Sequence, residues 1–283
     1  MPKLPIGSWI DAIIAWSSVH LSGLFAAITA FFDAWNSLIQ GTILQVPPIV
    51  VVTGLVLIGC LRRHFQGSLI QGFALLLVWN LGYWHDAIET VSLVLIAAGL
   101  STLAGIPLGI AIAESKAVRS IVTPILDYMQ TTPSFVYLIP SVLFLGIGVA
   151  PAVVATIIFA LPPVVRATAL GIDSIDHKLI EAAYAFGSSP GQVLRKVKLP
   201  LALPYVYVGI NQCIMMSLAM VVICALIGAQ GLGSQVVSAL AQADLAKGIE
   251  AGTAIVLLAI VLDHATRPRA KRSQGTRWWI ATG

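Results

Sequence analysis

Charged residues are scarce in this sequence. Asp, Glu, Lys and Arg make up 10% of its 283 residues, hydrophobic residues make up 58%, and the mean hydropathy is +0.93. Because soluble domains carry about 25% charged residues, this scarcity excludes a water-soluble globule. The apolar residues form long runs between short polar or basic stretches, as in helices that cross a hydrocarbon core about 30 Å thick. The sequence therefore predicts an all-α, multi-pass membrane protein.

The spacings of common catalytic, metal and nucleotide sites are also missing. The three cysteines, Cys60, Cys213 and Cys224, lie inside apolar runs without C-x-x-C spacing, which excludes the usual disulfide and zinc motifs. The five histidines lack metal-ligand spacing, and no catalytic Ser/His/Asp or paired-carboxylate arrangement is found. There is no G-x4-G-K-S/T phosphate loop. The net charge of +4 is spread over membrane flanks, so we predict no nucleic-acid partner.

About seven apolar stretches are predicted to span the membrane, making a polytopic helical bundle. They lie near 44–61, 67–84, 88–113, 120–149, 151–170, 204–227 and 249–265. Residues 1–43 precede them and alternate apolar with polar residues at helical spacing. We predict an amphipathic helix on the outer surface there, with an eighth span as the alternative.

Basic residues mark alternate loops between these spans. They are Arg62, Arg63, Lys116, Arg119, Lys178, Arg195, Lys196, Lys198, Arg267, Arg269, Lys271, Arg272 and Arg277. The other side carries only Lys3 and Lys247. The positive-inside rule therefore predicts cytoplasmic basic loops, a cytoplasmic C-terminus and an N-terminus outside. Arg166 is predicted to anchor its span at the cytoplasmic interface.

The longest polar stretch, residues 171–203, is predicted to be cytoplasmic and to form two short helices. Asp176 caps the first helix and Gly187 ends it, while a serine at position 188 or 189 caps the second. The second helix begins near Pro190 and places three basic residues, Arg195, Lys196 and Lys198, at its C-terminal end.

One face of the first helix carries Leu179, Ala183 and Phe186. This face is shallow enough for a close partner to dock. By periodicity alone, an ordinary amphipathic loop resting on the headgroups is the alternative.

The same stretch contains a recurrent motif. Glu181, Ala182 and Ala183 are followed after three residues by Gly187 and after nine more by V-K-L-P, which ends at Pro200. This resembles the EAA loop, E-A-A-x3-G-x9-I-x-L-P, of binding-protein-dependent ABC importer permeases, with Val in place of Ile. The stretches LDYMQTTPSFVYLIP (126–140), FALPPVVRATALGI (159–172) and ALIGAQGLGSQV (225–236) resemble permeases for glycine betaine, proline betaine and choline.

The resemblance implies a type I ABC importer transmembrane domain in a bacterial inner membrane. It also implies cytoplasmic ATPase subunits that carry ATP and Mg, an external substrate-binding protein and a second permease subunit, by default a second copy; this chain would need no cofactor. We divide the chain into an amphipathic segment (1–43), two spans (44–87), a permease core (88–267) with its EAA loop (176–200), and a basic tail (268–283). The tail is expected to contact anionic lipid or to act only as a topology signal.

The resemblance also assigns roles to residues. Coupling to the ATPase falls to Glu181, Ala182, Ala183, Gly187, Leu199 and Pro200. Near the outer gate lie Gly231 and Gly233, where glycines would let helix ends approach and separate.

Candidates for the translocation path are Asp127, Tyr128, Phe135 and Tyr137. An acidic group at membrane depth is a functional candidate, whereas a cytoplasmic interfacial helix over 117–131 would leave Asp127 solvated. The aromatic rings could bind a quaternary ammonium through cation-π contacts, or serve packing. An ion-coupled secondary transporter or channel is the alternative to the importer, and it would bury acidic residues near the membrane midplane.

Overall fold

The computed structural model describes residues 14–17, 19–61 and 65–266, and these residues contain helices and no β-strand. The α-helices are α1 (Ser22–Leu44), α2 (Pro48–Leu61), α3 (Phe65–Asn80), α4 (Trp84–Glu114), α5 (Lys116–Thr131), α6 (Ser134–Leu145), α7 (Val149–Asp173), α8 (His177–Ala185), α9 (Pro190–Val193), α10 (Leu199–Ala225), α11 (Leu232–Ala241) and α12 (Leu245–Thr266). A π-helical turn, Leu194–Lys198, joins α9 to α10. The all-α prediction is confirmed, whereas the predictions for Lys3, for Arg62 and Arg63, and for the tail fall outside the described residues.

Several of these helices are long and apolar enough to cross a membrane. Within the described ranges there are five, namely α1, α4, α7, α12 and the continuous helix Pro190–Ala225. The helices α2, α3, α6 and α11 are apolar but shorter. The bundle therefore combines full-length spans with short apolar helices that pack against them.

Three long helices, α4, α7 and α10, form the centre of the bundle. Large side chains such as Ile96 and Met220 are buried there, and small residues let the backbones approach closely. A Cβ atom on Gly109 would lie 2.7 Å from the carbonyl oxygen of Val165. Such contacts between small residues are how helices associate in lipid, where the hydrophobic effect between helices is weak.

Helix α1 packs on the outside of this centre. It buries only Phe32 and Asn36, and the Oδ1 of Asn36 accepts a 2.7 Å hydrogen bond from the hydroxyl of Ser92 in α4. Phe25 stacks on Phe144 of α6, with ring centroids 4.8 Å apart. The predicted outer-surface helix and the alternative of an additional span both stay predictions, and α1 is long enough for either.

The single span predicted over 120–149 is wrong. The chain breaks between α5 and α6, where Thr132 is extended (φ −72°, ψ 129°) and is followed by Pro133. A proline lacks the amide hydrogen that a helix needs, and it pushes the residue before it out of the helical region. A separate helix is found there, since α5 covers Lys116–Thr131 and buries only Leu126. The cytoplasmic interfacial position of the helix predicted over 117–131 stays a prediction.

Candidate coupling segment and translocation path

The segment between α7 and α10, residues 174–198, carries the EAA motif and is called the coupling segment below. Its first helix, α8, starts at Asp176, whose carboxylate accepts the amide of Lys178 at 2.9 Å. Gly187 follows the end of α8 with a φ of +80°, a left-handed conformation that favours glycine. Ser189 and Gln192 form a reciprocal capping box at the start of α9. The predicted helix signals are confirmed.

Helix α8 is exposed on the face predicted to dock. None of its nine residues, all within the described chain, is buried. Leu179 is 51% exposed, and Phe186, just after the helix, is 90% exposed. Glu181 and Ala182 are also exposed, while Ala183 is half-buried. The face predicted to dock therefore carries two exposed apolar side chains, Leu179 and Phe186.

The second helix of the coupling segment does not end where we predicted. Instead of stopping at its basic residues, α9 continues through the π turn into α10, and the amide of Leu199 bonds to the carbonyl of Leu194. Pro200 has no amide hydrogen for the carbonyl four residues before it, and a π turn absorbs such an interruption without breaking the helix. Leu199 and Pro200 therefore begin a core helix directly.

Three ion pairs join α4 and α5 to α7 and to the end of the coupling segment. They join Arg119 to Asp173, Lys198 to Glu114, and Arg166 to Asp127. The first pair is bidentate, at 2.9 and 2.8 Å, and the second has an N–O distance of 2.6 Å. Asp127, a path candidate, and Arg166, a predicted interface anchor, are partners of each other. Sequence offers no direct signal for this pair, because 39 positions separate the two residues.

The candidate path aromatics divide into two kinds. Tyr137 is buried, and its hydroxyl donates a 2.7 Å hydrogen bond to the carbonyl of Met129. This bond holds α6 against the end of α5. In contrast, Tyr128 is 66% exposed and Phe135 is 55% exposed. Their rings are available to a ligand or to a neighbouring chain, whereas the hydroxyl of Tyr137 already has a partner.

The two candidate gate glycines lie where α11 packs tightly against the bundle. Gly231 has a φ of +115° and precedes α11, a helix that was not among the predicted elements. The amide of Leu232 donates a 2.9 Å hydrogen bond to the hydroxyl of Thr90 in α4. A Cβ atom on Gly233 would lie 2.5 Å from the carbonyl oxygen of Val221 in α10. These contacts join α11 directly to α4 and α10.

Titratable side chains do not form a metal site in the described part of the chain. No group of three or more His, Cys, Asp or Glu residues is placed there to hold a metal ion. The arrangement as a whole is a helical membrane bundle with one exposed helix, α8, on a polar segment between two core helices.

The fold and the coupling segment thus define a membrane permease subunit. Residues 105–267 match the family model described as "Binding-protein-dependent transport system inner membrane component". The chain belongs to this family.

Relatives support the same assignment over nearly the whole chain. The glycine betaine/carnitine transport permease protein GbuB of Listeria monocytogenes is 43% identical over 97% of this chain and 98% of its own. The glycine betaine transport system permease protein OpuAB of Bacillus subtilis is 44% identical over 94% and 95%. The glycine betaine/proline betaine transport system permease protein ProW of Escherichia coli is 40% identical over 99% and 80%.

A solved structure shows the same fold. An inward-facing crystal form of the MetNI methionine ABC transporter matches with a TM-score of 0.58 and 23% identity, over 63% of this chain and 89% of the matched chain. This is the type I ABC importer fold. The protein is therefore a multi-pass membrane subunit of a bacterial ABC importer, and the ion-coupled carrier or channel is not favoured. Its relatives are transport subunits and not enzymes, and the family implies an ATPase and a substrate-binding protein as partners.

Proposed function

We propose that this chain imports glycine betaine, choline or a related betaine or proline-type compatible solute. The observation that carries the proposal is the similarity to glycine betaine permeases at 40–44% identity over at least 94% of the chain. The exposed EAA helix supports ATP-driven import, because its side chains are accessible to a partner ATPase. ATP and Mg are bound by the partner ATPase, and this chain carries no cofactor of its own.

Coupling runs through the EAA loop. Glu181, Ala182 and Ala183 contribute the α8 surface, and Gly187 supplies the left-handed turn that ends it. Leu199 and Pro200 complete the motif where the loop enters α10. A partner that moves α8 therefore acts at the cytoplasmic end of a helix that reaches the centre of the bundle.

The assembly is a dimer of this chain with its basic loops in the cytoplasm. Closed two-fold symmetry makes a second copy the default permease partner. The distribution of basic residues supports an N-terminus outside, a cytoplasmic C-terminus and a tail near anionic headgroups. Lipid and the second copy share the exposed apolar surface, which includes Leu103 and Val208.

Solute enters beside the two outer-gate glycines, Gly231 and Gly233, and passes near the aromatic side chains of α5 and α6 on its way to the cytoplasm. Tyr128 and Phe135 offer exposed rings suited to a quaternary ammonium. Tyr137 and Asp127 hold α5 in place beside them, through the Met129 carbonyl and Arg166. Gly231 and Gly233 let α11 close against the bundle; normal uptake with a bulky residue at Gly231 would contradict this gate.

Uptake measurements test the proposal. Labelled glycine betaine and choline, each competed by the other and by proline, are given to transporter-deficient cells that express this chain with its ATPase and binding protein. We expect uptake that survives dissipation of the proton gradient at constant ATP and disappears in Glu181→Lys. Normal uptake by Glu181→Lys at normal abundance would contradict the coupling role. Stable assembly with the ATPase but no uptake of any of these solutes would move the substrate to another class.

A further inference from the structure

Both ends of the coupling segment are attached to one short corner of the fold. This corner, residues 112–119, joins the end of α4 to the start of α5. Arg119 holds Asp173, the last residue of α7, just before the coupling segment begins. Glu114, the last residue of α4, accepts a hydrogen bond from Lys198 where the coupling segment ends. Because the corner contacts both ends of the coupling segment, a movement of that segment displaces the corner.

The corner is itself well fixed. Ser115 caps α5 by accepting the amide of Val118, and its own amide bonds to the carbonyl of Ala111 in α4. The Nε of Arg119 donates to the carbonyl of Ile112 at 3.2 Å, so that one guanidinium contacts the ends of both α4 and α7. Because α4 continues into the packed centre of the bundle, a displacement of the corner is passed directly to the core helices.

The two ion pairs differ in exposure but share a position. The side chains of Arg119 and Asp173 are 45% and 39% exposed, and pairs this exposed contribute little to folding unless their geometry is bidentate, as it is here. Lys198 is only 17% exposed, so its ammonium is held in one place by Glu114. The shared feature of the two pairs is their position at the two ends of the coupling segment.

We propose that Glu114 and Arg119 are positioning residues that clamp both ends of the coupling segment and transmit its movement to α4. This inference rests on the proposed import function and adds residues outside the EAA motif to it. With either pair broken, the partner ATPase still docks on α8, but its movement is no longer passed to the core. ATP is then hydrolysed with little solute transported.

The test uses the complete transporter reconstituted in liposomes with its ATPase and binding protein. Uptake of labelled glycine betaine and ATP hydrolysis are measured in the same vesicles for Lys198→Glu, for Glu114→Lys and for the two changes combined. The matched control is Lys116→Glu, which makes the same charge change at an exposed position two residues from Glu114 and outside the coupling segment. Lys198→Arg tests rescue by a residue that keeps the charge.

We expect each single reversal to lower the uptake per ATP hydrolysed by about tenfold, a change within the range of coupling free energies found for residues in one ion-pair network. The combined exchange should restore most of it, Lys198→Arg should keep most of it, and Lys116→Glu should match the wild type. Single reversals that transport as well as Lys116→Glu, or an exchange that restores nothing although the complex assembles, would overturn the clamp.

A second readout does not depend on the solute. A spin label on Leu103→Cys, at a 72% exposed position of α4, reports whether ATP binding moves this helix. The ATP-dependent spectral change should be lost in Lys198→Glu and return in the combined exchange. If the wild type transports no glycine betaine but shows this pattern, the substrate proposal fails and the clamp stands. A spectral change that is unaffected by Lys198→Glu would overturn the clamp.

Discussion

Helices α7 and α8 are neighbours in sequence with opposite environments. Fifteen of the 25 residues of α7 are buried, and its first residue follows a glycine that makes no side-chain cap. None of the nine residues of α8 is buried, and Asp176 caps it. Tertiary contacts therefore hold α7, whereas local hydrogen bonds hold α8. A change in the surroundings of α7 should damage the fold, and a change in α8 should damage only function.

The largest effect should come from filling the contact between α4 and α7. In Gly109→Leu the new Cβ would meet the Val165 carbonyl oxygen at 2.7 Å and the Cβ of Thr168 at 2.6 Å. Since backbone cannot yield as a flexible side chain does, we expect a loss of about 3 kcal/mol or more. Protein abundance and thermal unfolding in detergent measure it. The matched control is Gly99→Leu, also in α4, where nothing lies within 4 Å. Equal stability of the two variants would contradict this account of the core.

The next effect should be functional and confined to the coupling segment. We expect Gly187→Val to abolish solute uptake while the protein is inserted at normal abundance. A β-branched residue does not tolerate the φ of +80°, although no atom lies within 4 Å of the added Cβ. Gly187→Asn is the comparison, because asparagine adopts the left-handed conformation more readily and should keep part of the uptake. Similar uptake by the two variants would show that backbone conformation at this turn is unimportant.

A smaller effect is expected at the most exposed aromatic residue beside α8. Phe186→Ser should weaken association with the ATPase about tenfold, as loss of an aromatic anchor does at other interfaces. The stability of the permease should change by no more than about 0.5 kcal/mol, because Phe186 is 90% exposed. Titrated co-purification of the ATPase measures the association. Leu240→Ser, at an 81% exposed position of α11, is the control and should leave it unchanged; equal weakening by both would remove Phe186 from the interface.

The smallest expected effect extends the comparison to α1. Asp33→Cys should leave uptake unchanged, because Asp33 is exposed. If α1 lies on the outer surface, a membrane-impermeant thiol reagent added outside should label Asp33→Cys as strongly as it labels Asp244→Cys, in the loop after α11. Protection of the Asp33→Cys thiol from that reagent would favour the additional span.

The contrast between α7 and α8 also explains which structural features could be predicted from the sequence. The signals at Asp176, Gly187 and Ser189 act within four residues, so their structural effects follow directly from the sequence. The pairing of Asp127 with Arg166 depends on how α5 lies against α7, which no local pattern encodes. The EAA motif was enough to locate the coupling segment. The contacts of the corner 112–119 with both ends of that segment join residues far apart in sequence, so only the structure shows them.

Two errors share a physical cause. Pro133 breaks an apolar run that hydropathy reads as one span, whereas Pro200 and Pro204 sit in a helix that continues. Proline removes one hydrogen bond in each case, and the surroundings decide whether the chain turns or the helix widens. Hydropathy and proline position alone do not distinguish these outcomes.

The π turn at Leu194–Lys198 also sets how far the residues before it are rotated about the axis of α10. Each residue of an α-helix advances the chain by 100°, and a π turn accommodates about one residue more than an α-helical turn does. The residues before it, including the fully buried Val193, are therefore rotated by roughly a quarter turn relative to an uninterrupted extension of α10. Deleting Leu194, Arg195 or Lys196 would keep the named residues of the EAA motif and still point the segment in a different direction, so the orientation of α8 is set by backbone geometry as much as by residue identity.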